Sequence, residues 1–132
     1  MSDEFPITIY YNPRCGTSRN ALAMIRDAGY EPTVVEYMKT GWTRPQLQQL
    51  FAAMGAKPRD VLRAKEAQAA ELGLLAPDVD DDRILDAMVA HPVLVNRPIV
   101  VTPKGTKLAR PAETVLSLLD RQPTTITKQD AK

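Results

Sequence analysis

The hydrophobic pattern between residues 7 and 37 constrains the fold most. Ile7-Thr8-Ile9-Tyr10-Tyr11 is β-branched and aromatic and predicts a strand. Asn12-Pro13-Arg14-Cys15-Gly16 interrupts it with turn residues. From Thr17 the period changes to that of a helix, with Ala21, Leu22, Ile25 and Ala28 on one face and Gly29 at the C′ stop. Val34, Val35 and Tyr37 then mark a second strand. Strand, turn, helix, strand is a βαβ unit, which implies a parallel pair with a right-handed crossover.

The middle of the chain is helical in pattern. Thr43 and Gln46 have capping-box spacing, Pro45 sits in the first turn, Leu47, Leu50, Phe51 and Met54 form the stripe, and Gly55 ends it. Val61 and Leu62 fall in a short helix or turn after Pro58, residues 64–75 read as helix, and Asp81 or Asp82 caps another with Ile84, Leu85, Met88 and Val89 inward. His91-Pro92 closes that region. Two short strands, Pro98–Thr102 and Thr106–Ala109, flank a turn at 103–106 and predict a hairpin. Pro111 starts a last helix at N1, with Val115, Leu116, Leu118 and Leu119 apolar. Residues 121–132 are polar and aperiodic, as in a flexible tail. A βαβ unit followed by a ββα unit is the thioredoxin-like α/β core. The chain is read as a single domain over 1–132, with a helical insertion over about 40–92.

Composition removes several classes of function. The 132 residues are long enough to bury a core without staples. A formal net charge of +1 argues against a nucleic-acid partner or an acidic membrane surface. The single cysteine excludes an internal disulfide and a Cys-rich zinc site. The acidic run Asp78–Asp82 lacks EF-hand spacing and reads as a solvated loop or helix start, so no metal is expected. Met1–Pro6 has no basic leader and no long apolar run follows, so no secretory signal or membrane span is expected. A free thiol then suits the cytoplasm.

The chemistry centres on Cys15. It stands where the first strand gives way to the first helix, so the N–H groups of Gly16, Thr17 and Ser18 point toward it. The positive end of a helix lowers a thiol's pKa and can cradle an oxyanion, and Gly16 lets backbone approach a ligand. A free cysteine is often a small core hydrophobe. The polar turn and the flanking Arg14 and Gly16 favour a nucleophile here. Cys15-Gly-Thr-Ser18 has C-x-x-C spacing with serine in second place. No internal thiol can resolve an oxidised Cys15, so an outside reductant is implied. Asn12 suits an Asx turn, and Ser18 suits either helix capping or a hydrogen bond to the thiolate. His91 reads as a helix C-terminal residue, and Trp42 and Phe51 as packing.

The segment Tyr10-Tyr-Asn-Pro-Arg-Cys-Gly-Thr-Ser-Arg-Asn20 resembles the active-site segment of glutaredoxin-coupled arsenate reductases. The resemblance continues through Val61-Leu-Arg63, Asp82-Arg-Ile-Leu85 and the stretch from His91 to Gly105, and ends near Arg110-Pro111 and the last helix. It implies a thioredoxin-like fold and reduction of arsenate to arsenite with glutathione as co-substrate, glutaredoxin as partner and no bound cofactor. Cys15 matches the nucleophile, and Arg63, Arg97 and Arg110 match arginines that hold the oxyanion. Guanidinium forks suit a tetrahedral oxyanion. A lone arginine is otherwise an ordinary surface charge. Arg97 precedes Pro98, where such folds place a cis-proline loop beside the cysteine, so Arg97-Pro98 is expected to be cis. Several members carry histidine where Tyr11 stands; tyrosine supplies no cation, which leaves the helix end and the arginines to acidify the thiol, and Tyr11 reads equally well as a core strand residue. Two other readings share the fold: a regulator of the Spx type that binds RNA polymerase, against which Ser18 and the arginines weigh, and a thiol oxidoreductase acting on glutathione adducts.

Overall fold

The computed structural model describes residues 5–121. The chain divides into two compact units, one built from the segments up to Glu36 and from Arg97 onward, the other from Tyr37–Asn96.

The first unit is a mixed four-stranded sheet in the order β2-β1-β3-β4. Strand β1 (Thr8–Tyr11) leads into helix α1 (Gly16–Asp27), which returns the chain to β2 (Thr33–Glu36). β1 and β2 pair in parallel, with Ile9 opposite Val34. β3 (Ile99–Thr102) adds to the other side of β1 antiparallel, with Val100 opposite Ile9, and β4 (Gly105–Leu108) completes the hairpin. This is the βαβ and ββ order of a thioredoxin-like α/β core. Ile9, with strands on both flanks, is fully buried, and so are Ala21, Ile25, Val100 and Val115 around it. The helical spacing of Ala21, Leu22 and Ile25 puts them on the face of α1 that meets this core.

The last helix departs from expectation. It is a 3-10 helix over Ala112–Leu118, preceded by Pro111 in extended conformation instead of beginning on it. The apolar spacing gives the reason. Ala112, Val115 and Leu118 recur every third residue and are all buried, which suits three residues per turn. Arg121, placed at the start of a flexible tail, is instead tied down. Its N–H donates to the Tyr30 hydroxyl at 3.0 Å and its guanidinium lies 4.5 Å from that ring's centroid. The rest of the expected tail lies outside the described residues.

The second unit is helical: α2 (Tyr37–Thr40), α3 (Arg44–Met54), α4 (Pro58–Val61), α5 (Ala67–Glu71) and α6 (Asp81–Ala90), then a 3-10 turn over Pro92–Leu94. The capping box at Thr43 forms as its spacing predicts. Thr43 Oγ accepts from Gln46 N–H at 3.3 Å, and Gln46 Oε1 accepts from Thr43 N–H at 3.2 Å. Gly55 ends α3 at φ 67°. Three details differ from the sequence pattern. Tyr37 is not a strand residue but opens α2, stacks on Trp42 at 5.0 Å and donates to Val95 O at 3.3 Å. Residues 64–75 make only the short α5, because a turn closes at Glu66 N–H to Arg63 O and Gly73 at φ 73° ends the helical run. The cap of α6 is Asp80, not Asp81 or Asp82, with Oδ1 accepting from Arg83 N–H at 2.9 Å.

Candidate active site

Cys15 is the N-cap of α1, with its own φ and ψ at −96° and 120° and the helix beginning at Gly16. The loop before it is a closed system of hydrogen bonds. Cys15 N–H donates to Asn12 O at 2.9 Å, and Asn12 Oδ1 accepts from Arg14 N–H at 2.9 Å, an Asx turn. Asn12 is buried, and its N–H reaches Ser18 Oγ at 3.4 Å. Ser18 is fully buried in the first turn of α1. The chain therefore returns to the same point on either side of the cysteine, which fixes the sulfur against the helix end.

The thiol is held well below its ordinary value of 9.0, at about 6. Partial burial is the largest single influence and pushes it up. Hydrogen bonds to the sulfur from the Ser18 backbone, the Ser18 hydroxyl, Arg97 and Arg110 together outweigh that effect. Arg110 Nη1 lies 3.7 Å from Cys15 Sγ and donates to Arg97 O at 2.9 Å. One guanidinium thus touches both the Cys15 sulfur and the backbone of the second arginine. Arg97 is buried at 8% exposure, and a buried guanidinium is a strong local field for an anion.

Arg97 and Arg110 stand at the two feet of the β3–β4 hairpin. Ala109 N–H donates to Pro98 O at 2.8 Å, closing the base just inside them. The Arg97-Pro98 bond is cis, as expected, and Arg110-Pro111 is cis as well. Nothing in the pattern around Arg110 signalled the second.

Five of the sequence-derived residues, Asn12, Cys15, Ser18, Arg97 and Arg110, therefore converge within the first unit. Gly16 and Thr17 supply the first-turn backbone, Gly16 at the surface with nothing nearer than Arg19 Nη2 at 3.7 Å to a Cβ built there. Arg63 belongs to the second unit. It follows α4, with N–H to Leu94 O at 2.7 Å, Nε to Glu66 Oε2 at 3.2 Å and Nη1 to Asn96 Oδ1 at 3.2 Å. Tyr11 packs against the core of the first unit, and His91 ends α6 with Gln68 Nε2 3.2 Å from Nδ1. Arg19 did not stand out in the sequence. Its Nη1 donates to Pro13 O at 2.8 Å, so its guanidinium folds back over the cysteine loop. The only sequence signal for it is its place one helical turn beyond Cys15.

A nucleophilic thiolate beside two guanidiniums and the start of a helix is equipped to attack the central atom of an oxyanion and to stabilise the charge on its oxygens. Residues 10–118 match the model of the ArsC family. Among similar proteins, an arsenate reductase (ArsI2) of Synechocystis is 61% identical over 89% of this chain and 84% of its own. An arsenate reductase of Escherichia coli is 52% identical over 96% of this chain and 90% of its own. The solved structure of an arsenate reductase from Vibrio cholerae superposes with a TM-score of 0.83 at 36% identity, covering 87% of this chain and 98% of that one. With its family pattern matched over most of its length and relatives this similar, the chain belongs to the ArsC family.

Proposed function

We propose that this protein reduces arsenate to arsenite, with Cys15 as nucleophile, glutathione as co-substrate and glutaredoxin as the partner that restores the thiol. The observation that carries the reading is the approach of Arg110 to the Cys15 sulfur at 3.7 Å, with the thiol acidified to about 6. The family membership and the arsenate reductases that resemble the chain so closely supply the identity of the oxyanion.

In this reading the Cys15 thiolate attacks arsenic and displaces one oxygen as water, giving a cysteine–arsenate adduct. A glutathione thiolate then attacks the Cys15 sulfur. The Cys15–glutathione disulfide bond forms, the sulfur–arsenic bond breaks, and its electron pair stays on arsenic, which leaves as arsenite. Glutaredoxin removes the glutathione moiety and returns the Cys15 thiol. Two thiols are thus oxidised for each arsenic reduced. Arg97 and Arg110 hold the arsenate oxygens, and Ser18 steadies the thiolate. Arg63 enters the site through the family resemblance alone. A reaction that consumes thiols in this way belongs in the reducing cytoplasm.

The test is arsenite production from arsenate by the purified protein, with glutathione and glutaredoxin. Wild type is expected to turn over, Cys15→Ser to be inactive, and Arg97→Ala and Arg110→Ala to lose at least about a hundredfold in kcat/KM. No arsenite under any thiol supply overturns the reading. Turnover that survives both arginine substitutions overturns the site assignment.

A further inference from the structure

We propose that Glu66 is a positioning residue whose carboxylate holds the Arg63 guanidinium in one orientation, with the Nη2 amine left open to an oxyanion. The inference rests on the reading of Arg63 as an oxyanion-holding arginine, and it adds the group that prepares it.

The backbone around Arg63 is clamped to a second segment of the same unit. Arg63 N–H donates to Leu94 O at 2.7 Å, Asn96 N–H donates to Val61 O at 2.8 Å, and Leu62 forms an antiparallel bridge with Val95. The turn that follows closes with Glu66 N–H on Arg63 O at 3.1 Å. These backbone bonds bring Glu66 and Asn96 to the same guanidinium. Its Nε donates to Glu66 Oε2 at 3.2 Å and its Nη1 to Asn96 Oδ1 at 3.2 Å, so the head group is held at two points.

Two features set this pair apart. The first is burial. The Arg63 and Glu66 side chains are 20% and 28% exposed, whereas the carboxylates that pair with Arg26 and Arg44 are 74–79% exposed. Exposed pairs stay loose and screened and fix little. The second is how the guanidinium is used. Arg59 spends its own on the carbonyls of Ala76, Pro77 and Val79, which ties down a loop. The Arg63 guanidinium donates to no backbone carbonyl, and its Nη2 has no partner among the described residues. A long side chain is costly to immobilise, and a planar fork fixed beforehand loses less on meeting an anion. Glu66 does the fixing, while its negative charge opposes the same anion. Positioning and charge therefore act in opposite directions and can be told apart.

The experiment compares wild type, Glu66→Ala, Glu66→Gln, Arg63→Ala and the double variant Glu66→Ala with Arg63→Ala. Order of the Arg63 side chain is read by NMR from nitrogen relaxation of its Nε–H resonance, assigned by its loss in Arg63→Ala. Kinetics are read as arsenite formed from arsenate with glutathione and glutaredoxin. Glu66→Ala is expected to lower the order of that N–H and to raise KM for arsenate about tenfold with kcat within about twofold, the effect of immobilising one long side chain at each binding event. Glu66→Gln keeps an acceptor for the Nε–H without the charge, and is expected to keep the order and a KM no higher than that of wild type. In the Arg63→Ala background, Glu66→Ala is expected to change nothing further, whereas a merely structural role would add its loss to the other. Unchanged order in Glu66→Ala, or additive losses, overturns the proposal. A KM lowered in both Glu66 variants makes the residue a mere opposing charge and overturns it too. The relaxation measurement contains no arsenate. A wild type that forms no arsenite therefore overturns the reaction, and the order of Arg63 still decides whether Glu66 positions it.

Discussion

At the scale of single residues, the site is a contest between burial and hydrogen bonding at one sulfur. Burial alone would raise the Cys15 pKa, yet the thiol sits at about 6 because the Ser18 backbone and hydroxyl and two guanidiniums stabilise the anion. Alkylation by iodoacetamide is therefore expected to rise with pH through a midpoint near 6 and to level off by pH 7. Ser18→Ala removes one lowering hydrogen bond and is expected to move that midpoint upward, toward the ordinary thiol value. It also takes away the acceptor of the buried Asn12 N–H, a loss of about 1–3 kcal/mol in urea titration. An unchanged midpoint in this variant would remove the Ser18 hydroxyl, though not the backbone N–H, from the electrostatics. The linkage has a definite sign. The folded pKa lies below the unfolded one, so ionisation favours the folded state. That contribution is complete above the unfolded thiol's pKa and is lost as pH falls through about 6. Cys15 was legible in the sequence because its polar turn and helix start are local. Ser18 was half legible, since capping and thiolate bonding demand the same residue. Arg97 drew its signal from Pro98, whereas Arg110 is joined to Cys15 only by tertiary folding and no local pattern could reveal it without a family to compare.

At the scale of elements, the boundaries that came through were those with chemical punctuation. The α3 start is written in Thr43, Pro45 and Gln46, and its end in Gly55. Thr43→Ala is expected to cost about 1 kcal/mol, read as a lowered urea midpoint at constant slope, because both halves of the box depend on that side chain and its backbone placement. The elements that came through badly were those whose residues satisfy two periods at once. The Ala-, Glu- and Leu-rich stretch over 64–75 has helical composition, but Gly73 and the turn closing on Arg63 limit it to α5. The terminal helix carries apolar residues at both three- and four-residue spacing, and burial of Ala112, Val115 and Leu118 selects the tighter coil. Asp80 prevailed over its acidic neighbours as cap because its carboxylate meets the Arg83 N–H, a matter of a single residue of register in a run of similar side chains.

At the scale of the whole molecule, Cys15, Arg97 and Arg110 come from distant parts of the chain and meet because β1 lies between β2 and β3. Ile9 sits at the middle of that arrangement, opposite Val34 on one side and Val100 on the other, with no exposure. Ile9→Ala is expected to destabilise the protein by about 2–5 kcal/mol in urea titration, and a loss under about 1 kcal/mol would show that the core does not depend on this side chain. The general sheet order was legible because a βαβ unit and a hairpin each carry local signals, whereas the pairing of β3 with β1 is a long-range choice that only the folded chain makes. The hairpin has a further consequence. Arg97 and Arg110 are its two feet, and the distance between them is set by the pairing of Ile99 with Leu108 and by the closing bond from Ala109 to Pro98. The two guanidiniums that reach the Cys15 sulfur therefore travel as one portable cassette. In a chimera that exchanges this hairpin between relatives, both would arrive together with their spacing intact, whereas transplanting either arginine alone would carry the charge and leave its geometry behind.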